Sequence, residues 1–217
     1  MTGVQTCALP ISYTAVDGAE TAEGRISCWR ANATGPSLLA RACAKRGITL
    51  VHVSSDYVFD GVRASHDELE PLSPLSVYGQ AKAAGDLAVA GCPSHYIVRS
   101  SWVIGDGRNF VRSMAALSDR VADAGDELDH VTVVDDQVGR LTFTDQMAEG
   151  IFHLLQEHAP YGTYDLTGSG HTKSWHEIAS EVFELRNANS SAVIPVSTAE
   201  YYGRDRKSTR LNSSHAR

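Results

Sequence analysis

Short apolar runs alternate along this chain with longer amphipathic stretches. "PSLLARACAKRG", Pro36 to Gly47, has Pro near its start, a Leu/Ala face, basic residues late and a closing Gly. That is the punctuation of a helix with a glycine stop. "ITLVHV", Ile48 to Val53, reads as a strand of the buried type. The same periodicities predict a helix over Ser76–Ala90, a strand "YIVRS" at Tyr96–Ser100 and a helix over Asn109–Ala122. A strand "HVTVV" follows at His130–Val134, then a helix within Thr142–Glu157 with Thr144 as an internal start. "GTYDLTG", Gly162–Gly168, is a short strand, and "SWHEIASEVFEL", Ser174–Leu185, opens with a capping box of Ser174 and Glu177. Strands alternating with helices of this length argue for a parallel α/β sheet.

The two ends do not continue this pattern. Thr2 to Ile11 and Asp205 to Ser214 can be written as the two strands of one DNA segment, each the antisense of the other. The string resembles a sequencing-library adapter. Residues 1–12 and 205–217 are therefore expected to be artefactual and are set aside in reasoning about the fold. What lies between is long enough for one domain with a real core. Formal charge is −7, and the carboxy-terminal segment contributes Arg206, Lys207, Arg210 and Arg217 against Asp205, so the remainder is more acidic still. An acidic chain is not expected to bind nucleic acid, which needs a basic face. No apolar run has the length of a membrane span, and neither a membrane nor a secretory route is expected. Cys28, Cys43 and Cys92 are isolated and odd in number, which reads as reduced cytoplasmic thiols, not a disulfide frame or metal site.

The chemistry gathers in "SPLSVYGQAKAAGD", Ser73 to Asp86, where Tyr78 and Lys82 stand four residues apart and share a helix face. A free phenol titrates near pH ~10. An ammonium about 4 Å away would favour phenolate by up to roughly 4 kcal/mol at an effective dielectric of about 20. That predicts a tyrosine lowered toward the working range of a general acid or base. By itself the pair also fits an interfacial aromatic beside a surface lysine. "LVHVSSDYVFDG", Leu50 to Gly61, adds an apolar strand that ends in Ser54, Ser55 and Asp56. Ligands of parallel α/β sheets bind at the carboxyl ends of strands. Ser55 could donate to a substrate carbonyl beside Tyr78, or simply make a turn. A strand-end hydroxyl with Tyr and Lys on the next helix suits hydride transfer from a nicotinamide, with Tyr78 protonating the carbonyl oxygen.

The triplet resembles the extended short-chain dehydrogenase/reductase superfamily. More closely, "AVDGAE", "NATGPSLLARA", "SSDYVFDG", "PLSVYGQAKAAGD", "IVRSSWVIGDGRNFV", "VVDDQVGRLTFT" and "YGTYDLTG" resemble the dTDP-4-dehydrorhamnose reductase family. The resemblance implies a Rossmann-like, doubly wound parallel α/β sheet with a small α/β substrate-binding part. It implies reduction of dTDP-4-dehydro-L-rhamnose to dTDP-L-rhamnose with NADPH or NADH. It implies Tyr78 as proton donor, Lys82 orienting it and the cofactor ribose, and Ser55 where the family usually has Thr. Tyr13 and Thr14 match a cofactor-contacting strand end. Asp56, Val16 and Trp102 fall at substrate positions, and no residue is assigned as a metal ligand. Trp102 also fits a plain core aromatic, and Asp135, Asp136 and Gln137 fit either the substrate-side loop motif or a solvated turn.

Departures from the family pattern set further expectations. No G-x-x-G-x-x-G or G-x-G-x-x-G follows a first strand, so that strand and the phosphate loop are expected to be lacking and the chain as printed to be inactive. Gly139-Arg140-Leu141-Thr142 lacks the family's proline, and Trp29 is bulky for its place. Residues 13–134 are read as a partial NAD(P)-binding part and 135–204 as mainly substrate-binding. A homodimer is left open. Two other readings stay open: a non-catalytic subunit similar to the methionine adenosyltransferase β subunit, and another nucleotide-sugar epimerase or dehydratase of the superfamily.

Overall fold

The computed structural model describes residues 6–8, 12–123 and 128–202. In chain order it begins with strand β1 (Thr6–Ala8), helices α1 (Ala22–Trp29) and α2 (Gly35–Arg46), strand β2 (Thr49–Ser55), helix α3 (Val77–Ala90) and strand β3 (His95–Ser100). Strand β4 (Val103–Ile104), helix α4 (Phe110–Ala122) and strands β5 (Val131–Val134), β6 (Val138–Gly139) and β7 (Thr142–Phe143) follow. The rest is helix α5 (Thr144–Gln156), strands β8 (Gly162–Asp165) and β9 (Lys173–Ser174), helix α6 (Trp175–Leu185), strand β10 (Val193–Val196) and helix α7 (Thr198–Tyr202).

The main sheet has the order β1-β2-β3-β8, every neighbouring pair parallel. Its central strands are buried on both faces, through Leu50 and Val51 in β2 and Ile97 and Val98 in β3. This is why they read as near-continuous apolar runs. β2 runs past Val53 because Ser54 and Ser55 still pair with Arg99 and Ser100. That register ends the two strands together at one edge. Thr6–Ala8, from the segment set aside above, pairs with Thr49–Val51 and so covers backbone groups of β2 that would otherwise form an open edge. The remainder of residues 1–11 and residues 203–217 lie outside the described residues.

The predicted helix at Pro36 is the second half of a longer one. α1 passes through a π-turn, Arg30–Thr34, into α2 without leaving helical geometry. The wide turn brings the Gly35 amide to the Arg30 carbonyl, and Pro36, which has no amide to give, sits in the first turn of α2. α1 escaped the sequence reading because Gly24 interrupts a weak periodicity. Gly24 is needed there: a Cβ would lie 1.8 Å from the Gly18 carbonyl oxygen. α2 ends as predicted, on Gly47 at φ 63°.

A second core lies outside the sheet. Met114 of α4 and Ala179, Val182 and Phe183 of α6 pack on Val131 and Val133 of β5 and Val193 of β10. β5 and β10 form their own parallel pair. β10 was missed because it is short and contains Pro195, which is tolerated only at a sheet edge. The capping box of α6 is complete: the Glu177 amide donates to Ser174 Oγ and the Ser174 amide to the Glu177 carboxylate. Ser174 Oγ also donates to Asp135 at 2.6 Å. Ser174→Ala is expected to cost about 1–2 kcal/mol, read as a lower midpoint of thermal unfolding; an unchanged midpoint would remove the cap from the account.

Candidate active site

α3 begins just beyond the carboxyl end of β2. Ser76 caps it by accepting from the Gly79 amide at 3.0 Å, and the Val77 amide donates to the Glu20 carboxylate at 2.9 Å. With its start fixed on both sides, the first turns present Tyr78 and Lys82 toward β2. Gly79 lets this happen, since a Cβ there would meet the Tyr57 carbonyl oxygen at 2.2 Å. Tyr78 is buried among Ala19, Cys28, Val77 and Ala81, with Tyr13, Val16 and Tyr57 packed against them. The Tyr57 ring meets it edge-on at 5.4 Å. Ser55 Oγ donates to Asp56 Oδ1 at 3.0 Å and accepts from the Tyr57 amide at 3.3 Å.

Lys82 is buried and its ammonium donates to the Val53 carbonyl at 3.1 Å, lying 6.0 Å from the centre of the Tyr78 ring. The expected lowering of the phenol is therefore reversed. Burial, then the Asp56 carboxyl, pushes Tyr78 up to about 12, against the Ser55 and Ser12 hydroxyls that favour phenolate. Lys82 is lowered to about 8, chiefly by burial. The helical spacing alone could not reveal that the ammonium donates to a strand carbonyl and that both groups are dehydrated.

Asp56 is raised to about 7, first by burial, with the Ser55 hydroxyl and its own and the Tyr57 backbone amide opposing. The fold thus favours its protonated form. That contribution is present at low pH and is lost as pH rises from the ordinary carboxylate range through about 7. Asp56→Asn is neutral at every pH. It is expected to be more stable than the parent above pH 7 by about 1–3 kcal/mol, the gap closing toward acid. Denaturant unfolding across that range checks this; a gap independent of pH contradicts it.

Asn32, on the π-turn, is a functional-region residue that the sequence reading did not single out. It is fully buried, accepts from the Tyr13 amide at 2.9 Å and donates to the Tyr13 carbonyl at 3.0 Å. A side chain that satisfies both backbone groups of one residue fixes that residue's place. It thereby sets Tyr13 and Val16 beside Tyr78, while Thr14 is exposed. Its only signal was its place in "ANATGP", a polar residue inside a helical stretch.

Next to Asp56 a cavity of about 190 Å³ opens at the carboxyl ends of β2, β3 and β8. His66, Arg99, Ser100, Arg140 and Asp165 are among its walls. Ser100 Oγ, His66 Nε2 and Asp165 Oδ1 are buried there without a hydrogen-bond partner among the described residues.

Trp102 is buried beside Gly139, a residue that also lines this cavity. Its ring stacks on Trp175 with centroids 3.6 Å apart, and its backbone is held at φ 44°, a strained value for an aromatic residue. Gly139 makes room for it, as a Cβ would lie 2.8 Å from the indole. Asp135 and Asp136 are exposed and Gln137 is buried, and all three are held by hydrogen bonds. Asp135 holds Ser174, Asp136 accepts from the Thr198 amide at 2.9 Å, and Gln137 donates to Thr198 Oγ1 at 3.0 Å.

A family model described as the RmlD substrate binding domain matches residues 4–214. The chain belongs to this family. A dTDP-4-dehydrorhamnose reductase of Mycobacterium tuberculosis is 37% identical over 198 residues, covering 88% of this chain and 62% of the relative. A probable dTDP-4,6-dihydroxy-2-methyloxan-3-one 4-ketoreductase of Streptomyces antibioticus is also 37% identical, covering 88% and 62%. A crystal structure of dTDP-4-dehydrorhamnose reductase from Bacillus anthracis in complex with NADP superposes with a TM-score of 0.78 at 36% identity, covering 88% of this chain and 65% of that one. The chain thus spans less than two thirds of the length of these family members. The Rossmann-like fold of the family is the one described above.

Proposed function

We propose that this chain carries the proton-donating and sugar-side machinery of a reductase. The substrate is a dTDP-linked 4-keto-6-deoxy sugar, dTDP-4-dehydro-L-rhamnose in the first place, reduced to dTDP-L-rhamnose. The observation that carries this is the buried, neutral Tyr78 phenol between Ser55 and Lys82 at a strand end. Reduction needs a donor that is protonated at neutral pH, and a phenol placed at the strand end beside a hydroxyl and an ammonium meets that need. The reductase relatives support the reading.

NADPH or NADH, when bound, supplies the hydride. The residues present fit the sugar end of such a cofactor. A lysine ammonium has three N–H donors, and Val53 is the one hydrogen-bond acceptor Lys82 has among the described residues. Its remaining donors suit ribose hydroxyls, with Tyr13 beside them on the Asn32 anchor. Lys82 orients, and the apolar group around Tyr78 excludes water. Ser55 steadies the substrate oxygen, and Tyr78 protonates it as it gains negative charge. The phosphates of the cofactor would need a glycine loop, which this sequence does not contain.

The test is to follow consumption of the reduced nicotinamide, with this chain alone and joined to the part of the B. anthracis relative that it does not span. Turnover of dTDP-4-dehydro-L-rhamnose is expected, and faster than of other dTDP-4-keto-6-deoxy sugars. Preference for another of these would move the substrate within the class, as the S. antibioticus relative suggests. No turnover of any, by a folded and cofactor-binding protein, would reject the proposal.

A further inference from the structure

Each reduction leaves Tyr78 as phenolate, and a buried phenolate must regain a proton before the next cycle. Tyr78 is enclosed by Ala19, Cys28, Val77 and Ala81 and capped by the Tyr57 edge, so bulk water does not reach it through that wall. On the other side stand the Ser55 and Ser12 hydroxyls. Ser12 is bonded to Asn32, whereas Ser55 reaches a carboxyl, and a hydroxyl can accept one hydrogen bond while donating another. Ser55 Oγ is 3.0 Å from Asp56 Oδ1, and Asp56 in turn lines the open cavity at the strand ends.

We infer that Asp56 returns the proton to Tyr78 through the hydroxyl of Ser55, and is itself recharged from the cavity. The inference rests on the reductase reading above. The step balances. The Tyr78 O–H bond breaks as the substrate oxygen takes its proton. The Ser55 hydroxyl, which donates to Asp56 at rest, turns to the phenolate and gives it its proton, and the protonated Asp56 carboxyl then passes its own proton to Ser55. The Asp56 carboxylate finally takes a proton from water in the cavity. No redox change accompanies the relay; the hydride transfer has already used the nicotinamide. In this relay Asp56 acts through Ser55.

The surroundings suit a carboxyl that holds its proton near neutrality. From its own turn, Asp56 faces the Ser55 hydroxyl and the backbone amides of Asp56 and Tyr57. From α3 it faces Tyr78, and from the loop after β2 it feels His66. Arg99, Asp165 and Arg140 share its cavity. The Arg99 guanidinium is already held by Asp86 at 3.1 Å and by the Glu68 carbonyl at 3.4 Å, so it is not free to strip Asp56 of its proton.

The experiment is carboxyl and phenol titration by carbon-13 NMR on this chain, in the parent and in Asp56→Asn. The Asp56 carboxyl is expected to titrate near 7, with the Tyr78 ring reporting the same step. In Asp56→Asn that step disappears and the Tyr78 phenol titrates lower by on the order of half a unit, because a neighbouring negative charge is gone. In the cofactor-bearing enzyme, kcat of the parent falls as pH rises through the Asp56 titration. In Asp56→Asn kcat is roughly tenfold lower, loses that limb and shows a larger solvent deuterium effect. An Asp56 that titrates as an ordinary surface carboxyl overturns the relay, as does a Tyr78 titration unmoved by Asp56→Asn, or a retained limb. The parent titration alone decides the matter if the variant does not fold. Neither NMR measurement needs turnover, so the relay can fail while the reductase reading stands, and the reverse.

Discussion

Tyr78→Phe should abolish nearly all reduction while leaving the fold in place. The change removes one oxygen. The ring keeps its edge contact with Tyr57 and its packing on Ala19, Cys28, Val77 and Ala81. Losing a neutral hydrogen bond changes stability by only about 1 kcal/mol. Losing a general acid costs about a hundred- to ten-thousandfold in rate. Turnover should therefore drop about a thousandfold with an unaltered circular dichroism spectrum and unfolding midpoint. A variant that keeps more than about a tenth of the parent rate would mean that another group protonates the product oxygen.

The largest effect on stability is expected at Asp86. This carboxylate is buried at the middle of α3 and binds Arg99 Nε at 3.1 Å, with His52 Nε2 at 3.4 Å from its other oxygen. Arg99 lies over the Phe59 ring and reaches the Glu68 carbonyl, so one ion pair joins α3, β3 and the loop that walls the cavity. A buried pair is not strongly stabilising by comparison with an apolar one, because both charges had to leave water. Breaking it is a different matter. Asp86→Ala leaves a buried guanidinium without its hydrogen-bonded carboxylate, which costs about 3–5 kcal/mol. Total stabilities of domains are about 5–15 kcal/mol, so a large part of the folded population would be lost near 37 °C. Urea unfolding at neutral pH reads this directly. A loss below about 1 kcal/mol would mean that water reaches Arg99 and that the cavity wall is looser than described.

Much of this molecule is legible in its sequence because local and tertiary signals agree. β2 and β3 are buried on both faces, so their apolar runs survive as a pattern. α6 announces its start with Ser174 and Glu177, and α2 its end with Gly47. Spacing puts Tyr78 and Lys82 on one helix face, but only the strand-end Ser55 and the surrounding motifs single the pair out. What spacing does not encode is where a long side chain ends up. Lys82 turns its ammonium to the Val53 carbonyl, and burial then governs both titrations. Asn32 was hidden by its π-turn, a change of helical register that no periodicity reports. The Asp86–Arg99 pair joins residues on separate elements, and nothing in the chain between them marks the partnership. Trp102 was read from its motif as a substrate contact or a core aromatic. Its stack on Trp175 depends on a left-handed backbone and on the space left by Gly139, both invisible in one dimension.

The central claim is that a hydride reaches the sugar carbonyl while Tyr78 supplies the proton. The most direct measurement uses reduced nicotinamide deuterated at the transferable position, with dTDP-4-dehydro-L-rhamnose and the cofactor-bearing form of this chain. The account predicts dTDP-L-rhamnose with deuterium on the carbon of the former ketone, formed by the parent and only in trace by Tyr78→Phe. Product without deuterium at that carbon, or equal labelling by Tyr78→Phe, would contradict it.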